Sequence, residues 1–410
     1  MAEAEPASHP DGKAPLNLII ILGILSAAGP LSTDMYLSSL PTIAKVFDVG
    51  VSGSQLTLSV FLMGFAIGQL FVGPIADRVG RRPTLIIGLL VYAVASAASY
   101  FAPSIEVLIG LRFVQALGAS VGAVVTRAVV RDLFTPAQAA HVFSNMATIM
   151  ALVPAGMPIL GGQLLINFGW RASFAVMTVF GIGASLMVML KLRETLRTPD
   201  PLATRPLRIL INFGEMLRHP QFLGCALTGA TAFCGLFAFI SGSSFVLSEV
   251  FNVKPQHFGF YFTGPVVGYI IGTQLAARLV VRHGHVAVMA AGAYVVAVAG
   301  LLAAALAVAQ VPHTAAVVAP VALFTIGVGL ALPQAMAGAL APFPERAGAA
   351  SSLLGFIQMG LAALVGGAVG YFDNGTQTPM GVIIGITGLA ALSAYWFIAR
   401  PAFQASDTSV

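Results

Sequence analysis

Asp34 is the one carboxylate that falls well inside an apolar stretch, in the run Pro30-Leu-Ser-Thr-Asp-Met-Tyr-Leu-Ser-Ser-Leu-Pro41, and not near the end of one. An unpartnered carboxylate in hydrocarbon is costly, so it must face a water-filled cavity, meet a cation or take up a proton. Burial favours its neutral form and a nearby cation its charged form, the balance that a proton carrier needs. The plainer alternative is an aspartate that only bonds across helices. Arg112 lies inside another apolar stretch and is the expected partner. Counted from the outer ends of their segments, Asp34 is about seven residues in and Arg112 about eight, a shared depth of roughly 10 to 12 Å at 1.5 Å per residue. Arg112 can instead be held by backbone carbonyls or by Gln115 and stiffen its own segment. Other chemistry finds no support: no His/Cys metal spacing, no nucleophile beside a base and no phosphate loop occur. His141, His219, His257, His283, His285 and His313 fall at segment ends or loops. No enzyme, metal or cofactor is expected.

The elements that must position these residues are transmembrane helices. Of 410 residues 58% are hydrophobic and 9% charged, against roughly a quarter charged in soluble domains. The charges are bunched, leaving Thr84 to Tyr100 and Val286 to Val311 without Asp, Glu, Lys or Arg. Such stretches match the roughly 20 residues that cross hydrocarbon as helix, and strict alternation for a barrel is absent. The reading is an all-α membrane protein with twelve spans, at 16–40, 51–74, 83–101, 105–130, 138–166, 171–191, 220–248, 257–280, 285–309, 314–341, 348–371 and 379–399. A tail (1–15) precedes a six-helix bundle (16–191), a linker (192–219), a second bundle (220–399) and a second tail (400–410). The first fifteen residues, with Glu3, Glu5 and Asp11 beside Lys13, lack the basic start of a signal peptide. With both termini inside, 16 of the 20 Lys and Arg fall on the inner side; only Lys45, Arg171 and Lys254 fall outside, and Arg112 within a span. The charge of +5 then reflects orientation and requires no nucleic acid. Cys225 and Cys234, nine apart on one helix, are too distant for a disulfide. The linker ends in an amphipathic piece around Leu207 to Leu217. A repeat relates the halves: Gly73-Pro-Ile-Ala-Asp-Arg-Val-Gly-Arg-Arg82 ends span two, and Ala277-Arg-Leu-Val-Val-Arg-His-Gly-His285 ends span eight. Two bundles around a cavity can rock and expose it alternately.

The run Gly68-Gln-Leu-Phe-Val-Gly-Pro-Ile-Ala-Asp-Arg-Val-Gly-Arg-Arg82 resembles the signature of the major facilitator superfamily between helices two and three. Within it, Pro30 to Pro41, Leu111-Arg-Phe-Val-Gln-Ala-Leu-Gly118 and Pro154-Ala-Gly-Met-Pro-Ile-Leu-Gly-Gly162 are similar to the bicyclomycin and chloramphenicol resistance (Bcr/CflA) branch of drug:proton antiporters. The likeness extends to Phe245-Val-Leu-Ser-Glu249 and Phe258-Gly-Phe-Tyr261. Departures are Met157 before Pro158, Ser38 after Leu37, and no second acid between Leu22 and Pro30. The resemblance implies proton-driven efflux of drug-like compounds across a bacterial inner membrane, with substrate and protons as partners beside membrane lipids, by a monomer. The alternative is proton-linked uptake or export of a sugar, amino acid or organic acid, which would call for several polar groups in the cavity.

Around the coupling pair three sets of residues follow. Gly73, Asp77, Arg78, Gly80, Arg81, Arg82, Arg131 and Asp132 read as a cytoplasmic gate, in which Asp77 binds a helix amino terminus or an arginine; the arginines can equally be topology charges. Val281 matches Asp77, making the lock one-sided. Pro154, Gly156, Pro158, Gly161 and Gly162 weaken helix five and permit tight packing; the resemblance implies a hinge that seals the cavity. Expected cavity walls are Met35, Tyr36, Gln115, Asn145, Met146, Met150, Phe233, Phe237, Phe239, Tyr261 and Gln334, flexible or broad side chains suited to loosely specified ligands.

Overall fold

A computed structural model of the protein describes residues 16–134, 136–196, 198–201 and 203–407; the expected tail 1–15, with Lys13, and the linker residue Arg197 lie outside the described residues. Every regular element among them is helical, as apolar segments require when peptide groups have no water to bond.

The first stretch is a broken rod. Helices α1 (Leu16–Ser26), α2 (Ala28–Asp34) and α3 (Leu40–Val46) are joined through a 3-10 turn at Leu37–Ser39, with a 45° bend between Ser26 and Ala28. Pro30 has no amide to offer the turn before it, and Pro41 sits at the start of α3, so each break coincides with a missing donor. Then come α4 (Val51–Val79), α5 (Arg81–Tyr100), α6 (Ile105–Leu133), α7 (Pro136–Phe168) and α8 (Ala172–Lys191). The linker forms α9 (Pro206–Arg218). The second half holds α10 (Pro220–Phe245), which ends in a π turn at Val246–Val250, α11 (Pro255–Val308), α12 (Ala315–Leu340), α13 (Ala347–Tyr371) and α14 (Thr378–Ala394). A second π turn, Tyr395–Ala399, leads into α15 (Arg400–Asp407). The final stretch, read from sequence as a tail, is thus helical to Asp407, and its Phe403 is buried.

Among the described residues nine helices are long and apolar enough to cross a membrane, ten with the bent first pair taken as one. The 54 residues of α11 are two rods joined at Gly284, whose φ of 77° leaves the helical region; Gly80, at φ 113°, makes the matching turn between α4 and α5. Both are conformations that an L side chain resists.

The turns divide between two ends of the molecule, one marked by Gly50 and the other by Gly80. Toward the Gly50 end one apolar core runs across both halves, joining Leu37, Phe61 and Phe174 to Phe237, Phe239, Phe262 and Phe324. Toward the Gly80 end it separates into a cluster of the first half, around Leu85, Val125 and Val188, and one of the second, around Phe222, Met289 and Tyr395. The apolar core is therefore shared between the halves at one end and separate in each half at the other.

Candidate functional site

Asp34 closes α2, where the α-helical ladder fails. The amide of Met35 still reaches Leu31 O, four residues back, but that of Tyr36 turns to Thr33 O, three back. Ser32 O is thereby released, and Arg112 Nη2 donates to it at 3.1 Å. Asp34 is 6% exposed and accepts from Thr33 Oγ1 at 3.0 Å.

Asp34 and Arg112 do not form an ion pair among the described residues, which corrects the expected contact. Both lie on the same broken turn of the first stretch, Asp34 within it and Arg112 against its carbonyl. Arg112 is fully buried and donates Nη1 to Gln115 Oε1 at 2.6 Å, while Nε has no partner. Its guanidinium carbon stands 4.2 Å from the ring centre of Phe61 and 4.5 Å from that of Tyr36. Ring faces and one carbonyl hold this cation where a carboxylate was expected. A polar chain extends from it: Gln115 Nε2 donates to Ser96 Oγ at 2.7 Å and to Met177 Sδ at 3.3 Å, and Ser96 Oγ donates to Tyr92 O. Tyr92 OH pairs with Ser32 Oγ at 2.7 Å, and Tyr36 OH with Thr57 Oγ1 at 2.9 Å.

The expected cavity walls divide accordingly. Tyr36 and Gln115 belong to the Arg112 cluster, and Met35 is fully buried with its carbonyl against Gly161. Met146 packs in the first half's own core, and Phe239 is fully buried against Phe262 at 5.2 Å between ring centres. These five are buried in this conformation, Met35, Tyr36 and Phe239 on the core shared by the halves. Phe237 and Gln334 are buried too, Phe237 on the core shared by the halves. Asn145, Met150, Phe233 and Tyr261 are half-buried, the last three against that same core.

Contacts between the halves run along α4 and α13, from Gln55 beside Gly370 to Gly73 beside Ser352, and hydrogen bonds reinforce them toward the Gly50 end. Ser244 Oγ donates to Leu37 O at 2.9 Å and Gln55 Nε2 to Ser241 O at 3.1 Å. In α7, which stays helical through Pro154 and Pro158, Gly161 abuts the carbonyl of Met35, and a Cβ on Gly162 would stand 2.5 Å from Pro255 O in α11. Gly156 has open space around it. The proline-glycine segment is therefore a close backbone contact at Gly161 and Gly162, with one half on each side.

At the Gly80 end, Arg81 Nη1 donates to Asp77 Oδ1 at 2.5 Å and Nε to Asp132 Oδ2 at 3.0 Å. Asp77 meets an arginine, one of its two expected partners. The amino terminus of α5 is taken by Glu194, which sequence reasoning missed: its carboxylate accepts from the amides of Arg81 and Arg82 at 2.9 and 3.1 Å, and from those of Thr195 and Leu196, each at 2.9 Å. Partial burial opposes its charge, but these four donors outweigh it and hold the carboxyl below its usual range. A Cβ on Gly80 would stand 2.7 Å from Glu194 Oε2. Arg82 Nη2 donates to Met189 O and Arg78 Nη1 to Thr204 Oγ1, each at 2.8 Å. All these bonds lie in the first half or its linker. Contacts with the second half come from α6 and α4: Arg127 Nη1 donates to Ser351 Oγ at 3.0 Å, a Cβ on Gly348 would lie 3.2 Å from Arg131 Nη1, and one on Gly73 would lie 3.6 Å from Ser352 Oγ.

The sequence matches the Major Facilitator Superfamily over residues 22–254. It is 34% identical to the uncharacterized MFS-type transporter YdgK of Bacillus subtilis over 96% of this chain and 98% of that protein. It is 31% identical to a bicyclomycin resistance protein homolog of Haemophilus influenzae, over 94% and 97%. The structure superposes on a D-xylose-proton symporter with a TM-score of 0.72, covering 93% and 97% of the two chains at 15% identity, a likeness of fold. With the signature loop, the broken first helix and these relatives in agreement, the chain belongs to the Major Facilitator Superfamily of multi-pass membrane transporters, in the branch of the bicyclomycin and chloramphenicol resistance proteins.

Proposed function

We propose that this transporter exports small drug-like compounds across the bacterial inner membrane in exchange for protons, by alternating access. The observation that carries the reading is Asp34: a carboxylate buried at a helix break, three residues before Leu37, whose carbonyl accepts from Ser244 of the second half, with a threonine hydroxyl and, among the described residues, no cation as its bonded neighbour. Such a group is stable in the membrane when protonated and must gain water or a cation to release its proton. Movement of the halves supplies that change of surroundings. Arg112 acts on Asp34 through the turn they share, since Ser32 O, which it grips, is two residues from the acid.

In this reading the spans number twelve, with α1 to α3 as the first and α11 counted as two about Gly284. Both termini and the Gly80 end are cytoplasmic, as the basic residues favour. The conformation is closed toward the periplasm by Ser244, Gln55 and the Gly161–Gly162 contact, and Gly73 to Arg82 with Arg131 and Asp132 forms the inner gate. Relatives named for bicyclomycin, chloramphenicol and multidrug resistance support a drug-like cargo.

The test is a drug-susceptibility panel in an efflux-deficient bacterium expressing wild type or Asp34→Asn. Protection by wild type and its loss in Asp34→Asn, with substrate-driven pH change in proteoliposomes only for wild type, is the expected result. Full protection by Asp34→Asn would sink the coupling role.

A further inference from the structure

The linker helix α9 has three faces. Phe213 and Met216, three residues apart, pack into the core of the second half with Phe222 and Phe343. Asn212 and Glu215 face Arg346, whose Nη1 donates to Glu215 Oε2 at 2.5 Å and to Asn212 Oδ1 at 3.3 Å. On the third face Leu210 is 66% exposed, Ile211 52% and Leu217 42%, with Gly214 among them open to space and Arg218 exposed at its end. In a water-soluble loop this third face would cost apolar hydration without return.

Two observations say what covers it. Only His219 separates α9 from α10, a helix long and apolar enough to cross the membrane, so α9 is held at the level where a span begins. Arg205 and Arg218, both exposed, bracket the apolar face, and that pairing of apolar side chains with flanking cations fits an acidic lipid surface. We propose that α9 is a membrane-surface helix, seated with Leu210, Ile211 and Leu217 among the acyl chains of the leaflet at the Gly80 end and binding anionic phospholipid through Arg205 and Arg218. The lipid then grips the segment that joins the two moving halves.

The test uses the full-length protein in vesicles. Cys225 and Cys234 are buried, so a thiol-reactive spin label reports a cysteine introduced at a surface site. Leu210→Cys, Leu217→Cys and Glu215→Cys are labelled singly, and collisions with oxygen, which concentrates in lipid, are compared with those of a water-soluble nickel chelate. A severalfold higher oxygen-to-nickel ratio at 210 and 217 than at 215 is expected. Equal ratios at all three sites, or shielding of 210 and 217 from both reagents as a protein contact would give, overturns the proposal. The headgroup preference is read with a bimane label at Leu210→Cys and brominated lipids. Brominated phosphatidylglycerol is expected to quench more than brominated phosphatidylcholine, and Arg205→Gln and Arg218→Gln each to lower that preference about fivefold. Equal quenching by the two lipids in the parent protein overturns the anionic-lipid assignment. Neither readout depends on transport, so loss of the efflux reading leaves the result intact.

Discussion

The two halves make the same turn at the Gly80 end and fasten it differently. Gly80 and Gly284 both bend the chain through positive φ, at 113° and 77°. The first turn is bound by Arg81 to Asp77 and Asp132 and capped by Glu194. In the second, Val281 stands where Asp77 would be and is 85% exposed, and Arg282, His283 and His285 are exposed as well. Among the described residues the ion pairs at these turns lie on the first alone, and Val281 takes the place of an acid on the second. A repeated backbone turn is therefore shared by the halves, while the charged contacts that fasten it differ between them. The side-chain hydrogen bond from Arg127 to Ser351 of the other half starts from α6, the helix that also supplies Asp132.

Substitutions at the two turns test this contrast. Gly80→Ala forces a side chain into a strained φ and against Glu194, for about 3 kcal/mol, whereas Gly284→Ala meets only the backbone term, about 2 kcal/mol. Thermal unfolding of the purified proteins in detergent should rank them in that order; equal losses would mean that Glu194 yields freely. Arg81→Met leaves two carboxylates without their cation and should cost about 2 kcal/mol, tempered by the exposure of Asp77. Arg282→Met, at an exposed arginine of the second turn whose match in the first is Arg78, should change stability by less than about 0.5 kcal/mol. A comparable loss at both arginines would erase the difference between the turns.

Glu194→Gln removes a charged cap and should cost about 1 kcal/mol at neutral pH. Because the folded protein holds this carboxyl below its ordinary value of 4.5, its contribution is complete above that value and fades as pH falls through the lower, folded one. Unfolding midpoints of wild type and Glu194→Gln measured from about pH 7 to about pH 3 should converge at the acid end. A gap that stays constant would assign the cap to geometry alone.

How far the sequence could be read depended on how local each interaction is. Helical class and the paired turns at Gly80 and Gly284 follow from apolar run lengths and from the repeated motif that ends spans two and eight, whereas the first stretch, read from sequence as one span at 16–40, is broken near Pro30 and Pro41. The equal depths of Asp34 and Arg112 were also legible, because rise per residue is fixed. Their lack of contact was not: it depends on the rotation of α6, which presents Arg112 to Ser32 O and two aromatic rings. Tyr36, Met35 and Gln115, read from sequence as cavity walls, are buried in this conformation, Tyr36 and Gln115 against Arg112. Glu194 gave no signal because the amides it caps, at Arg81 and Arg82, are 113 and 112 residues away.

Gly161 and Gly162 touch their neighbours through main-chain oxygens, Met35 O on one flank and Pro255 O on the other. A joint surfaced by peptide groups keeps its dimensions whatever side chains line the route for cargo. Substitutions elsewhere in the molecule leave these main-chain contacts in place, so the joint persists while the side chains around it change.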